Sequence, residues 1–234
     1  MIGLKKLTIA MVTLAALALG AGIALAVPIP NGNFDSGNTG FISSYAFQSP
    51  GTNTLWPEGT YGVGTSPSLY HSLWANFGDH TTGTGNMMIV NGATDAGVTV
   101  WGVPTASDTI PVVVGQTYYF SAWLASVHPP QIGSDPLAPA TLAFSINGIQ
   151  ISSDFTLSAH VGTWELFYVP WVADGDFATL AVINRNTTAS GNDFALDDIS
   201  LDTKIPGVPE PATMLLLGLG LVGLAGVSNR KFRK

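Results

Sequence analysis

The chain has no cysteine among its 234 residues. That removes disulfide frameworks, thiolate metal sites, lipobox acylation and a cysteine nucleophile. Charge is scarce as well: 10% of residues are Asp, Glu, Lys or Arg, and only eight are basic. Lys5, Lys6, Arg230, Lys231, Arg233 and Lys234 lie at the two extremities. Residues 27–208 therefore keep Arg185 and Lys204 as their only bases, against every carboxylate except Glu210, for a net charge near −12. Nucleic acid is bound through cations that neutralise phosphates, so this balance argues against a nucleic-acid partner. It suits solubility outside the cell and exposure to millimolar calcium.

Catalytic signatures are equally thin. His71, His80, His128 and His160 are isolated in the sequence, with no H-E-x-x-H or clustered metal spacing. Glu58 and Glu165 are the only glutamates before Glu210, and no motif places two carboxylates at the roughly 5 Å that a retaining glycosidase needs. No G-x-S-x-G elbow marks a nucleophile. A non-enzyme is the reading these absences support, with a glycoside hydrolase as the least favoured alternative.

The long apolar runs that are present lie at the ends. Lys5 and Lys6 precede an apolar stretch over 7–23, and Ala24-Leu25-Ala26 supplies a small-x-small cleavage site before Val27. Residues 1–26 read as a signal peptide. At the other end Pro209-Glu210-Pro211 precedes a charge-free run over 212–227 and a basic tail over 228–234. Sixteen helical residues span about 24 Å, slightly short of the roughly 30 Å hydrocarbon core, and the prolines fix the start of that transmembrane helix. The cationic tail would stay on the cytoplasmic side. Within this run Gly218 to Gly223 fits G-x-G-x-x-G, but without a preceding strand the dinucleotide reading fails.

This tripartite end resembles the PEP-CTERM sorting signal of exopolysaccharide-producing Gram-negative bacteria. The resemblance implies that an exosortase reads Pro209, Glu210 and Pro211 and cuts near them. A membrane-anchored precursor would thereby pass to the cell surface or extracellular matrix. An ordinary tail anchor is the alternative.

Between the ends, short strands are punctuated by Gly, Pro, Asn and Asp. Runs over 87–90, 98–101, 109–114, 117–127, 141–146, 149–152, 162–169, 177–184 and 193–201 read as strands. Pro111 marks an edge, while 117–127 is apolar on both faces and reads as a central strand. Asn147-Gly148 is the clearest hairpin turn. Residues 30–70 and 128–139 read as loops around short strands, and 204–208 as a linker. No capped helical period appears in 27–203, so the expected fold is all-β, a jelly-roll β-sandwich flanked by a signal helix and a transmembrane helix.

Asn31-Gly32-Asn33-Phe34-Asp35, the segment 114–123, Ala143 to Gly148, Gly162-Thr163-Trp164-Glu165 and the segment 192–201 occur in an order that resembles the galactose-binding-like domain of carbohydrate-binding modules. The resemblance implies a structural Ca2+ joining the first and last strands, held by Asn33 or Asp35 and by Asp197 or Asp198; the sequence does not identify a middle ligand, for which Asp79 is a guess. The bland reading makes Asp197-Asp198 a strand cap. For sugar binding, aromatic faces stack on pyranose rings, and Trp56, Tyr61, Tyr70, His71, Trp74 and Trp101 are the candidates. Trp123, Trp164 and Trp171 read as core. The function expected is an exported, non-catalytic protein that associates with exopolysaccharide or another glycan. The rival is a structural or adhesive protein that uses the sandwich for protein contacts.

Overall fold

A computed structural model describes residues 27–103, 110–129, 138–208 and residue 219. The expected signal peptide, the sorting tripeptide, the apolar run apart from Leu219 and the basic tail lie outside the described residues. Among the described residues no helix is long and apolar enough to cross a membrane.

The interior is all-β, as its punctuated apolar runs dictate. Thirteen strands follow in order: β1 (Ala46–Phe47), β2 (Thr60–Gly64), β3 (Met87–Asn91), β4 (Thr99–Gly102), β5 (Ile110–Pro111), β6 (Thr117–Ser126), β7 (Thr141–Ile146), β8 (Ile149–Gln150), β9 (Phe155–Thr156), β10 (Glu165–Val172), β11 (Phe177–Ala178), β12 (Leu180–Asn184) and β13 (Phe194–Asp202). A 3-10 turn at Pro67–Leu69 interrupts the long loop between β2 and β3. One sheet runs β1-β2-β3-β13-β6-β10, the other β4-β12-β7-β8 with β9 beside β7, and among the described residues β5 pairs with β11. The 109–114 run therefore yields just two paired residues, at an edge where the missing N–H of Pro111 does no harm. The 177–184 run is split between the small sheet and the second large one. Asn147 and Gly148 take φ of 53° and 76°, the left-handed pair that a type I′ turn requires.

The two large sheets face each other across one core. Phe120, Leu124, Met88 and Leu196 from the six-stranded sheet meet Phe144, Leu142, Val182 and Trp101 from the other. Phe120 and Phe144 stack with centroids 4.3 Å apart. β6 is central, between β13 and β10. Alternation sends Phe120, Ala122 and Leu124 into this core and leaves Ser121, Trp123 and Ala125 on the outer face. That outer face has a second apolar cluster, in which Leu55, Tyr70 and Trp74 from the loops cover Met87, Ile89, Ala195 and Val127. The long, polar-looking stretch before β3 is thus a lid over half of the sheet.

Candidate functional site

The uncovered half of the outer face is a groove of about 430 Å³, and β13 shapes it. In β13 the pairing with β6 slips by one residue between Asp197, opposite Trp123, and Ser200, opposite Ser121. Asp198 is the extra residue and sits at φ 46°, the left-handed conformation a bulge commonly needs. The two aspartates therefore do not end a strand, as their position suggested. They mark a bulge, and β13 continues to Asp202. The bulge turns Ile199 into the core, leaves Asp197 buried against the His80 loop and puts Asp198 on the groove wall. The first segment of the domain docks on it: Ile199 N–H donates to Gly32 O at 2.8 Å. A Cβ at Gly32 would lie 2.4 Å from Ile199 O, so only glycine permits this approach.

The groove lining is part polar, part apolar. Ser121 and Ser200 share a hydroxyl–hydroxyl hydrogen bond of 2.7 Å; Asn31, Asn33, Trp123 and Asp198 lie beside them, and Val27, Ile29 and Pro206 add apolar surface. Trp123 is half-buried rather than core. His80 stacks on it with centroids 3.8 Å apart, and the His80 ring bonds through Nδ1 to Asp198 Oδ2 at 2.6 Å. Thr81 Oγ1 donates to the same oxygen. Sequence reasoning missed Trp123, His80, Ser121 and Ser200; the one available signal was two serine-or-tryptophan positions alternating on the outer face of an otherwise apolar strand.

The expected calcium ligands gather beside this groove. Asp197 accepts the backbone N–H of His80 at 2.9 Å and that of Asp198 at 2.8 Å. Burial, then the nearby Asp198 carboxylate, push its pKa up to about 7. Asp79 is buried, which opposes ionisation, but N–H donors from Thr82 and Gly85 outweigh this and lower its pKa. Asn33 Nδ2 donates to Asp35 Oδ2 at 2.7 Å. A Cβ on Gly85 would meet Asp35 Oδ1 at 2.9 Å and Asp79 Oδ2 at 3.1 Å, so glycine leaves a cradle between two carboxylates. Hard oxygens are the right donors for calcium. Loop donors already occupy most of them, however, and among the described residues no three His, Asp or Glu side chains are grouped to hold a metal.

The six aromatic candidates divide sharply. Tyr61, Tyr70, Trp74 and Trp101 are buried in the two apolar clusters and present no face to solvent. Tyr70, for example, fills the space above Gly62 and Gly64 and donates its hydroxyl to Val63 O at 2.7 Å. These four are packing residues, because a sandwich with long loops needs large side chains to fill two cores. His71 is buried between Trp56 and Trp74, at ring distances of 4.9 and 4.7 Å. Trp56, 58% exposed, is the one candidate on the surface. Trp171 packs against the main core, and Trp164 against the outer one.

This geometry defines an all-β sandwich with an open groove on one sheet. Residues 207–231 match the PEP-CTERM protein-sorting motif, which implies an exported surface protein processed by an exosortase. No curated protein matches the chain. Among solved structures, the chain is similar to the Stig cyclase Fisc from Fischerella sp. TAU, with 15% identity over 76% of this chain and 97% of that one, at a TM-score of 0.51. It is also similar to the CBM22-1 xylan-binding domain of Paenibacillus barcinonensis Xyn10C, with 14% identity over 79% and 97% at a TM-score of 0.41. The sugar-binding EclA C-terminal domain gives 21% identity over 45% and 67%, at 0.35. The fold is thus one that a cyclase also uses, and it does not by itself choose between binding and catalysis.

Proposed function

We propose that the chain is a non-catalytic surface or matrix protein whose sandwich binds glycan, with the producing organism's exopolysaccharide as partner. The observation that supports this is the groove, where an indole ring borders hydroxyl and amide groups on a rigid sheet. Such an arrangement suits a pyranose ring, whose apolar face stacks on Trp123 while its hydroxyls reach Ser121, Ser200 and Asn33. The resemblance of the sequence order to carbohydrate-binding modules agrees with it. The precursor is held in a Gram-negative inner membrane by its C-terminal run until the exosortase acts. A Ca2+ at the cradle between Asp35 and Asp79, with Asn33, Asp197 and Asp198 around it, would tie the first segment to β13 beside the groove.

A glycan array with the purified full-length chain tests the reading. Binding to at least one neutral polysaccharide is expected, with Trp123→Ala lowering it at least tenfold. No binding to any glycan, together with self-association, would replace this reading by the structural or adhesive one. Release of reducing ends from a bound glycan would make the protein a hydrolase.

A further inference from the structure

The strand register carries the outer face of the six-stranded sheet beyond the groove. Ser121 of β6 lies opposite Ser200 of β13 on one side and opposite Tyr168 of β10 on the other. Directly opposite residues share a face of the sheet, with Cβ atoms about 4.5–5.5 Å apart. Ser200, Ser121 and Tyr168 therefore form one row across three strands. The row on one side of it holds Asp197, Trp123 and Leu166; the row on the other side holds Asp202, Tyr119 and Pro170. Alternation along β10 agrees, because Phe167, Val169 and Trp171 pack against the inner core. Tyr168 thus stands beside the groove, one strand outward from Ser121, and is 48% exposed.

Two aromatic rings therefore flank the serine pair. Trp123 and Tyr168 occupy diagonal positions on neighbouring strands, about 7–8 Å apart. Neighbouring rings hold both of them. His80 stacks on Trp123 with centroids 3.8 Å apart, and Tyr119 meets Tyr168 edge-on at 6.2 Å. Tyr168 belongs to neither apolar cluster, so its ring fills no core. Between the two rings lie the bonded hydroxyls of Ser121 and Ser200.

Shape and charge narrow the ligand. Val27, Ile29 and Asn33 wall the groove on one side. On the other side β10 is the last strand of the sheet, and Tyr168, Pro170 and Val172 are exposed along it. A pocket for one small molecule buries most of its ligand; a groove that runs out over a sheet edge lets a chain continue past it. Asp198 lines the groove and Asp202 lies in the row beside the serines. No lysine or arginine is among the lining residues, and Arg185 is engaged with Asp154 at 3.1 Å. A uronate or sulfated chain would meet like charge here, at a cost. Building on the glycan reading of the groove, we propose that Tyr168 is its second stacking ring. The ligand is an internal stretch of a neutral, linear polysaccharide, laid from Trp123 across the serine pair to Tyr168.

Calorimetric titration of the full-length chain with soluble xylan, mixed-linkage β-glucan, galactomannan, dextran and polygalacturonate tests this. Each polymer that binds is then replaced by its own oligomers, from monomer to hexamer. The hexamer of a neutral polymer is expected to bind at least tenfold more tightly than its monomer. Tyr168→Ala should remove most of that gain without weakening the monomer. Tyr168→Phe should keep it, because the ring and not the hydroxyl stacks. Val172→Ala, exposed on the same strand two rows away, should match the wild type. Equal affinity for monomer and hexamer marks a single-sugar pocket; it overturns the proposal and leaves the glycan reading intact. So does a folded Tyr168→Ala chain that keeps the full gain with length. Polygalacturonate bound as tightly as the neutral polymers overturns the proposal as well. Failure of every polymer to bind removes the glycan reading itself, and the proposal with it. If Tyr168→Ala does not fold, Tyr168→Thr, which keeps a strand-forming residue, takes its place.

Discussion

Single atoms decide several features of this protein. Gly62 faces the Tyr70 ring so closely that an added Cβ would lie 2.3 Å from it. Overpacking of this kind costs about 1–3 kcal/mol. Gly62→Ala should therefore lower the melting temperature by several degrees, and an unchanged midpoint would show that Tyr70 can move aside at no cost. Glu58 carries a second prediction. Burial, then the Asp193 charge, push its pKa from 4.5 up to about 7. Between those values the folded chain keeps a proton that the unfolded chain has released, so stability falls as pH rises through that window. Glu58→Gln removes the titrating group. Its melting temperature should decline less steeply than that of the wild type between pH 5 and pH 8; parallel declines would contradict the assignment.

At the level of elements, turns and bulges carry the design. Gly148 occupies φ 76° in the β7–β8 turn, a conformation that costs a residue with a Cβ about 1–2 kcal/mol. Gly148→Val should lower stability by that order in a denaturant titration, with an unchanged m-value. The β13 bulge places Asp197 and Asp198 against the His80 loop, and the segment from Asn31 to Asp35 docks beside them. If calcium binds there, a hundredfold excess over Kd adds about 2.7 kcal/mol, a shift of several degrees. Melting the full-length chain in chelator and in millimolar calcium should show that rise, and Asp35→Ala or Asp198→Ala should abolish it. Coincident wild-type curves would reduce the aspartates to bulge and loop anchors.

For the whole molecule, the sorting motif at residues 207–231 implies export and processing by an exosortase. Mass spectrometry of the mature protein should find Val27 at its N-terminus and no peptide from residues 228–234. A mature form retaining Arg230 to Lys234 would indicate a plain tail anchor instead. Deleting the exosortase should leave the precursor at its full C-terminal length.

The sequence by itself determined what depends on local order along the chain. Periodicity and turn chemistry marked β3, β4, β6, β7, β8 and β13 within a residue or two, because β-branched and aromatic runs bounded by Gly, Asn and Asp have little other use; β10 begins three residues later than its run, and β1, β2 and β9 were not marked. Asn147-Gly148 forced its hairpin, and Pro209-Glu210-Pro211 with its apolar run carried the sorting signal whole. Exposure was decided only by the tertiary structure. Tyr70 and Trp101 look like sugar-stacking rings in sequence, yet both fill cores: the loop that carries Tyr70 folds back over the six-stranded sheet, and Trp101 lies where the two sheets pack face to face. Trp123 sits in a strand that reads as fully buried, yet it borders a groove because the loop lid covers only half the sheet. His128 and Asp193 are far apart along the chain and meet only because β6 and β13 are antiparallel, so that one ends where the other begins. Burial depends on which segments pack together from far apart in sequence, and no local pattern encodes that.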